Sequence, residues 1–111
     1  MQFSLKIICN LGITEIVNQR VTTLVNNLSL PDDYTFSPYW KDNACAIMEF
    51  SAKIHKPNFS KIRQHIQFIA GTENVSECCS AGAWECGYYV SFDEMDANQN
   101  AVFVVCNVFE V

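Results

Sequence analysis

Apolar and polar residues alternate one by one at the start of the chain. Because successive side chains of a β-strand point to opposite faces, this period of two predicts a strand over residues 2–9 with one buried face. Gly12 interrupts the alternation. The residues predicted to face inward are Phe3, Leu5, Ile7 and Cys9, and those predicted to face outward are Gln2, Ser4 and Lys6.

Two later stretches repeat apolar residues at steps of three and four, which is the spacing of a helix with one apolar face. The first predicts a helix over about residues 15–28 with Thr14 as its N-cap. The second predicts a helix over about residues 59–70, opened by Asn58 and closed by a left-handed C-cap at Gly71. The apolar positions are Ile13, Ile16, Val17, Val21, Leu24, Val25 and Leu28 in the first helix, and Phe59, Ile62, Ile66 and Ile69 in the second.

A pair of strands is predicted between the two helices. Residues 34–40 are aromatic and favour a strand, but Pro38 has no N–H to donate to a neighbouring strand, so this strand belongs at a sheet edge. Residues 41–43 form a predicted hairpin turn, and alternation over 44–54 predicts the next strand. Its inward residues are Ala46, Met48, Phe50, Ala52 and Ile54.

The C-terminal part of the chain begins with residues 72–83, which show no clear period and are predicted as a loop or a ragged sheet edge. Alternation over 84–92 predicts another strand, and a polar turn at 96–100 leads to a final strand over 101–110. Because this last strand is apolar on nearly both faces, we expect it to lie in the interior of the sheet.

The predicted elements follow the order β-α-β-β-α-β-β. This order predicts a single α+β domain over residues 1–111, in which two helices pack on one face of a mostly antiparallel sheet. The arrangement expected is ferredoxin-like, a split βαβ topology with one added C-terminal strand. Since that topology supports many unrelated activities, it does not indicate a function by itself.

Composition and cysteine use place further bounds on the protein. With 111 residues, half of them apolar, the chain is large enough for one domain with one core. The N-terminal segment lacks the charged and apolar regions of a signal peptide, so we expect a cytoplasmic protein. The six cysteines are then expected to be reduced thiols, with Cys9, Cys45 and Cys106 acting as small apolar residues in strands.

Charge is distributed unevenly along the chain. Twelve acidic residues outnumber seven basic ones, for a net charge of −5, and no Lys or Arg follows Arg63. A surface with charge of one sign speeds association with an oppositely charged partner. The carboxylates beyond Arg63 are Glu73, Glu77, Glu85, Asp93, Glu94, Asp96 and Glu110.

Aromatic residues lie among these acids, and aromatic anchors with charged neighbours are typical of binding hot spots. The period of two places Trp84 and Tyr88 on one face and Tyr89 on the other, so at least one of them is expected to be exposed. The alternative is an acidic surface that only keeps the protein in solution, with the aromatic rings directed into the core. The predicted partner-binding residues are Glu73, Glu77, Trp84, Glu85, Tyr89, Asp93, Glu94 and Asp96.

Other kinds of site are not predicted. The spacing of Cys78, Cys79 and Cys86 matches no standard zinc pattern, and the surrounding carboxylates would raise rather than lower a thiol pKa. No phosphate-binding glycine motif occurs, and the scarcity of basic residues disfavours nucleic acid. No apolar run is long enough to span a membrane. We therefore predict no catalytic residue, no metal and no cofactor.

In general character the chain resembles the immunity proteins that neutralise toxins in bacterial competition systems, including contact-dependent growth inhibition. The likeness lies in a short acidic chain that starts MQFSLKIICN without a signal and in its acidic, aromatic segment WECGYYVSFDEMD. The resemblance implies a non-catalytic inhibitor that binds one cognate toxin domain and occludes its active site. Such toxins are often nucleases with a basic cleft, which an acidic surface would suit.

Two other functions remain open from the sequence. One is a ferredoxin-like regulatory or small-molecule-binding domain that dimerises through its sheet. The other is a small enzyme that uses His65 or a pair of carboxylates in a cleft.

Overall fold

The fold, described here from a computed structural model of residues 1–111, consists of six strands and three helices. A 3₁₀ turn at Leu11–Ile13 precedes the first helix. The strands are β1 (Gln2–Asn10), β2 (Ser37–Pro38), β3 (Cys45–Lys53), β4 (Ser76–Ser80), β5 (Ala83–Tyr88) and β6 (Val102–Phe109), and the helices are α1 (Thr14–Asn27), α2 (Phe59–Ala70) and α3 (Phe92–Ala97). None of these helices has the length and apolar character needed to cross a lipid bilayer.

All six strands belong to one sheet, in the order β2-β3-β1-β6-β5-β4, and every neighbouring pair is antiparallel. At the centre, Leu5 of β1 lies opposite Phe50 of β3 on one side and Cys106 of β6 on the other. It follows that β1 and β2 run parallel with β3 between them, and that β3 and β6 run parallel with β1 between them. The α+β class and the antiparallel sheet are confirmed, but the sheet has six strands where five were predicted.

The main core lies between one face of the sheet and the helices α1 and α2. Alternate residues of β1, β3 and β6 point to this face, and α1 and α2 add the apolar stripes of their helical period. The largest fully buried side chains are Phe3, Leu5, Ile7, Leu24, Met48, Ile62, Ile66 and Ile69. The prediction that two helices share one face of the sheet is therefore confirmed.

The second helix and the last strand agree closely with the sequence. Helix α2 spans residues 59–70 as predicted, because Asn58 accepts a hydrogen bond from the Lys61 N–H at 3.1 Å and Gly71 adopts a left-handed φ of 74°. Strand β6 lies between β1 and β5, so its predicted interior position is confirmed. The β2–β3 turn at residues 41–43 is also confirmed, with the Cys45 N–H bonded to the Asp42 carbonyl at 3.0 Å.

Two predictions about α1 were wrong. Thr14 is not an N-cap but the first helical residue, since the 3₁₀ turn runs directly into α1 and Asn10 caps that turn through the Gly12 N–H at 2.9 Å. Ile16 was assigned to the buried face, yet it is 51% exposed. The apolar face of α1 that packs on the sheet is formed by Val17, Val21, Leu24 and Val25.

Three corrections concern the other elements. The edge strand predicted over 34–40 shrinks to Ser37–Pro38, while the preceding aromatic rings of Tyr34 and Phe36 pack on the core without strand pairing. The segment 72–83 contains an ordered edge strand, β4, whose side chains are all exposed and therefore show no period. Finally, the strand predicted over 84–92 ends at Tyr88, and the segment that follows forms α3.

Candidate partner-binding surface

The acidic residues predicted to bind a partner lie in three separate places. Glu73 is exposed in the turn between α2 and β4. Glu77 and Glu85 belong to the β4–β5 hairpin but occupy alternating positions, so they point to opposite faces of the sheet. Asp93, Glu94 and Asp96 lie on α3. The fold therefore divides the predicted acidic surface instead of gathering it.

Glu77 is engaged within the protein. One carboxylate oxygen accepts a hydrogen bond from the indole N–H of Trp84 at 2.7 Å, and the other lies 3.5 Å from Nε of Arg63. Trp84 itself is only 4% exposed and packs against the Phe59 ring, with centroids 5.0 Å apart. Trp84 is thus a core residue, which corrects its prediction as an anchor for a partner.

Tyr89, the other aromatic residue predicted to bind a partner, is exposed, and neighbouring residues restrain its side chain. It is 50% exposed, and its hydroxyl donates to the Glu85 carboxylate. Its ring lies over the backbone of Gly87 and contacts Phe103 edge-on, with centroids 5.9 Å apart. Partial burial, together with the bond to the Glu85 carboxylate, raises the pKa of the hydroxyl, so Tyr89 stays neutral at physiological pH.

Helix α3 holds the remaining three acids on the face of the sheet opposite α1 and α2. Ser91 caps it by accepting a hydrogen bond from the Glu94 N–H at 3.2 Å, and Met95 is its buried residue. A second, smaller cluster forms beneath α3 from Ile8, Tyr39, Cys45, Val90, Met95 and Ala101. Asp93 and Glu94 lie in the first turn, where the helix dipole favours negative charge.

An aromatic surface that the sequence did not single out lies beside α3. Phe92 stacks on Tyr39, with ring centroids 5.8 Å apart and an interplanar angle of 29°. Tyr39 contacts Trp40 edge-on at 6.2 Å. Tyr39 is buried, whereas Trp40 is 83% exposed and Phe92 is 37% exposed. The two exposed rings are therefore supported from below by a buried one.

Carboxylates border these rings. Asp96 lies four positions after Phe92 and three positions after Asp93. At these spacings the three side chains are neighbours on one side of α3. Burial raises the pKa of the Cys45 thiol, and the carboxylates of Asp42 and Asp96 raise it further, so both acids lie near this thiol. We call the set Trp40, Asp42, Phe92, Asp93 and Asp96 the aromatic–acidic patch.

One cation lies within the same surface. The ammonium group of Lys41 is 5.0 Å from the centroid of the Trp40 ring, in the position of a cation–π contact. This contact shows that the exposed face of Trp40 accepts a positive charge.

Of the predicted site residues, α3 brings together Asp93, Glu94 and Asp96, and Glu85 lies beside Tyr89. Trp40 and Phe92 were missed because both had been assigned to strands. A signal for α3 was present, since Ser91 and Glu94 form the Ser-x-x-Glu pattern of a capping box. The position of Trp40 next to the turn residues 41–43 also favoured exposure.

The cysteines are all free thiols; Cys78 and Cys79 are exposed, and the other four are buried. Burial raises the pKa of Cys9 to about 11, and burial with the nearby Glu77 carboxylate raises that of Cys86 to about 11. These thiols therefore remain protonated at neutral pH and are poor nucleophiles.

The histidine considered as a catalytic base lies apart from the acids of α3. His65 is half-buried on α2, where Nε2 is 3.4 Å from the side-chain nitrogen of Asn27. Burial and the nearby Lys61 lower its pKa, so its ring is neutral at physiological pH. No group of three or more His, Cys, Asp or Glu side chains is arranged to hold a metal ion.

Comparison with known proteins finds no matching family model, no similar curated protein and no matching solved structure.

Proposed function

We propose that this chain is a non-catalytic protein-binding domain, and specifically an immunity protein that binds and blocks a cognate toxin in the cytoplasm of a bacterium. The observation that carries the proposal is the exposure of Trp40, at 83%, beside Phe92 and the carboxylates of α3. The partner expected is a toxin domain with a basic surface, such as the substrate cleft of a nuclease.

The aromatic rings of the patch support this proposal because of what such rings contribute to the free energy of binding. Large rings contribute most to binding when they are rigid and become desolvated by the partner. Tyr39, a member of the second core cluster, contacts both Trp40 and Phe92 and so restrains the two rings, and their exposure leaves them available for desolvation by a partner.

The acidic part supports the choice of a basic partner. Asp93 and Asp96 lie on the same helix as Phe92, Asp42 lies two residues after Trp40, and the chain as a whole carries a net charge of −5. A field of this sign speeds the approach of a basic protein, by roughly 10- to 1,000-fold at low salt, and repels nucleic acid. Association is therefore expected to slow as ionic strength rises.

The decisive experiment uses the gene directly upstream, because an immunity gene is expected to follow its toxin gene. The C-terminal domain of that upstream product is expressed in a bacterial host with and without this chain, and growth is measured. Rescue of growth by this chain, with a stoichiometric complex of the purified proteins, would support the proposal. If the toxin domain still kills in the presence of this chain, the immunity function is wrong.

Matched variants locate the surface. Trp40→Ala should weaken the complex by roughly 30-fold or more, whereas Ile16→Ala, which truncates a half-exposed apolar side chain on α1, should leave it unchanged. Replacing Asp93 and Asp96 by Lys should slow association severalfold. The same change at the exposed Asp32 and Asp33 alters net charge equally and should have little effect. Equal effects of the two charge reversals would exclude α3 as the interface.

A regulatory or small-molecule-binding domain is the second candidate, favoured by an apolar cleft of about 360 Å³ at the end of the β4–β5 hairpin. Its lining includes Phe59, Trp84 and Val108, together with the exposed Cys79. A small apolar ligand bound there would raise the melting temperature of the protein by mass action. A screen that produces no such rise would count against this candidate.

We further interpret β2, β3, β1 and β6 as a ferredoxin-like core. The interpretation rests on two parallel strand pairs, each separated by an antiparallel strand, with α1 connecting β1 to β2. On this view the β4–β5 hairpin and α3 are an insertion between α2 and the last core strand. The insertion carries most of the acidic residues of the second half of the chain.

A further inference from the structure

The two edges of the sheet differ in how they are protected from pairing with another strand. At one edge β2 has only two residues, and one of them is Pro38, which cannot donate a hydrogen bond. At the other edge β4 has five residues, Ser76–Ser80, and all five are exposed. No proline or lysine interrupts β4. Natural proteins seldom leave an edge of this kind unprotected unless it pairs.

The one charged residue of β4 does not protect its edge. Glu77 is bound to the Trp84 indole and lies 3.5 Å from Arg63, so its carboxylate is held over the helix-covered face. An edge charge prevents strand pairing when its side chain is free and its charge is uncompensated. Here the side chain is fixed, and its charge is partly offset by a guanidinium group.

The hairpin turn determines which backbone groups of β4 are free. Ala81 and Gly82 have φ values of 48° and 80°, as in a two-residue type I′ turn, which makes Ser80 and Ala83 a hydrogen-bonded pair. Since hydrogen-bonded and non-hydrogen-bonded pairs alternate along an antiparallel ladder, Glu77 and Cys79 direct their N–H and C=O groups away from β5. These groups are the donors and acceptors available to a further strand.

We infer that β4 pairs antiparallel with β4 of a second copy of this chain, around a two-fold axis at Cys78. A two-fold axis makes the edge complementary to itself, because each Glu77 then exchanges hydrogen bonds with Cys79 of the other copy. This register uses all five residues of the strand. A register centred on Glu77 would instead place two glutamates directly opposite each other, which is unfavourable.

Charges elsewhere on the hairpin permit this pairing. Glu85 lies one strand in from the edge, so the two copies of Glu85 are about three strand spacings, or roughly 14 Å, apart across the joined sheet. Repulsion over that distance is largely screened at physiological salt. The dimer edge is also at the opposite side of the sheet from β2 and β3, so the aromatic–acidic patch remains accessible.

The two exposed cysteines supply a direct test of the register. In this register the two Cys78 residues form a non-hydrogen-bonded pair with Cα atoms about 4.5 Å apart, which is within disulfide range. The two Cys79 residues are offset by two positions along the strands, about 8 Å apart, which exceeds that range. Mild oxidation with diamide should therefore cross-link Cys79→Ser, which retains Cys78, and leave Cys78→Ser monomeric on a non-reducing gel.

Charge substitutions test the same register without oxidation. Cys79→Glu places a glutamate opposite Glu77 of the other copy and should weaken the dimer by roughly 2- to 30-fold, whereas Cys79→Lys should strengthen it. Dissociation constants are measured by sedimentation equilibrium over a micromolar to millimolar series, and circular dichroism checks that each variant is folded. A protein that stays monomeric at millimolar concentration overturns the inference. Equal cross-linking of the two serine variants, or cross-linking of Cys78 only to a different protein, overturns it as well.

Discussion

The indole N–H of Trp84 donates to the Glu77 carboxylate at 2.7 Å across the β4–β5 ladder. This bond joins a core residue to an exposed edge strand, and it continues to Arg63 of α2 through the ion pair at 3.5 Å. A strand with no buried side chain of its own is thereby attached to the helical layer. The Glu77 carboxylate therefore anchors β4 to the helical layer, in addition to the backbone ladder that joins β4 to β5.

Replacing that carboxylate should destabilise the fold. In Glu77→Ala the buried indole N–H loses its acceptor, and the free energy of unfolding should fall by about 1–3 kcal/mol. Glu77→Gln should cost less, because the amide oxygen still accepts the bond. Urea unfolding measures both, with Glu73→Ala as the control at a nearby exposed glutamate. Equal losses in the Ala and Gln variants would mean that the hydrogen bond is unimportant.

Gly87 should not tolerate a side chain. A Cβ atom built on Gly87 would lie 2.6 Å from the Val104 carbonyl oxygen and 3.2 Å from the Tyr89 ring, and the backbone oxygen cannot move aside. Gly87→Ala should therefore lower the free energy of unfolding by about 2–4 kcal/mol. Gly82→Asn is the control, because that site is open and asparagine tolerates its left-handed φ of 80°. Melting temperatures within a few degrees for both variants would contradict the prediction.

Stability should fall at alkaline pH because of buried thiols. Burial raises the pKa of Cys9 and of Cys86 from 9.0 to about 11, so the folded state retains protons that the unfolded state releases. The stabilisation from these neutral thiols is fully present below pH 9 and is lost as pH rises toward about 11. Urea midpoints measured across this window should decline. The decline should be shallower in Cys9→Ala and Cys86→Ala, whatever their absolute stabilities, and an unchanged slope would refute the assignment.

The N-cap of α3 should matter for the aromatic–acidic patch. Ser91→Ala removes the acceptor of the Glu94 N–H and should cost about 1 kcal/mol of local stability. Amide hydrogen exchange at Met95 should then accelerate roughly fivefold, since α3 opens more often. Ser60→Ala, at an exposed position within α2, is the control and should leave that rate unchanged. Unaltered exchange in Ser91→Ala would show that packing alone holds α3.

Local signals explain where the sequence predicted the fold well. Helix α2 carries its own N-cap at Asn58, its own C-cap at Gly71 and a regular apolar stripe, so its ends required no distant partner. Strand β6 is apolar on nearly both faces, which is the pattern of an interior strand. The acidic character of the second half of the chain was likewise visible, although its division among three places was not.

Tertiary packing determined the structure of β4 and α3, because these segments are too short or too exposed to show a hydrophobic period in the sequence. Strand β4 buries no side chain, so its sequence does not alternate between apolar and polar residues. Phe92 was predicted to end a strand, and Asp96 and Ala97 were predicted to begin a turn, but residues 92–97 form a helix in which Met95 is buried in the second cluster.

The two tryptophans show most clearly which features the sequence determines and which depend on tertiary packing. Both lie in segments that were predicted as strands, so the sequence alone determined that each was aromatic and near a sheet. In the folded protein α2 brings Phe59 over Trp84, while no element covers Trp40 at the end of the sheet. Burial of a strand residue depends on which helix reaches it, and that is set by packing between elements distant in sequence. The binding surface that we propose therefore contains Trp40 in place of Trp84, together with Asp93 and Asp96 of α3.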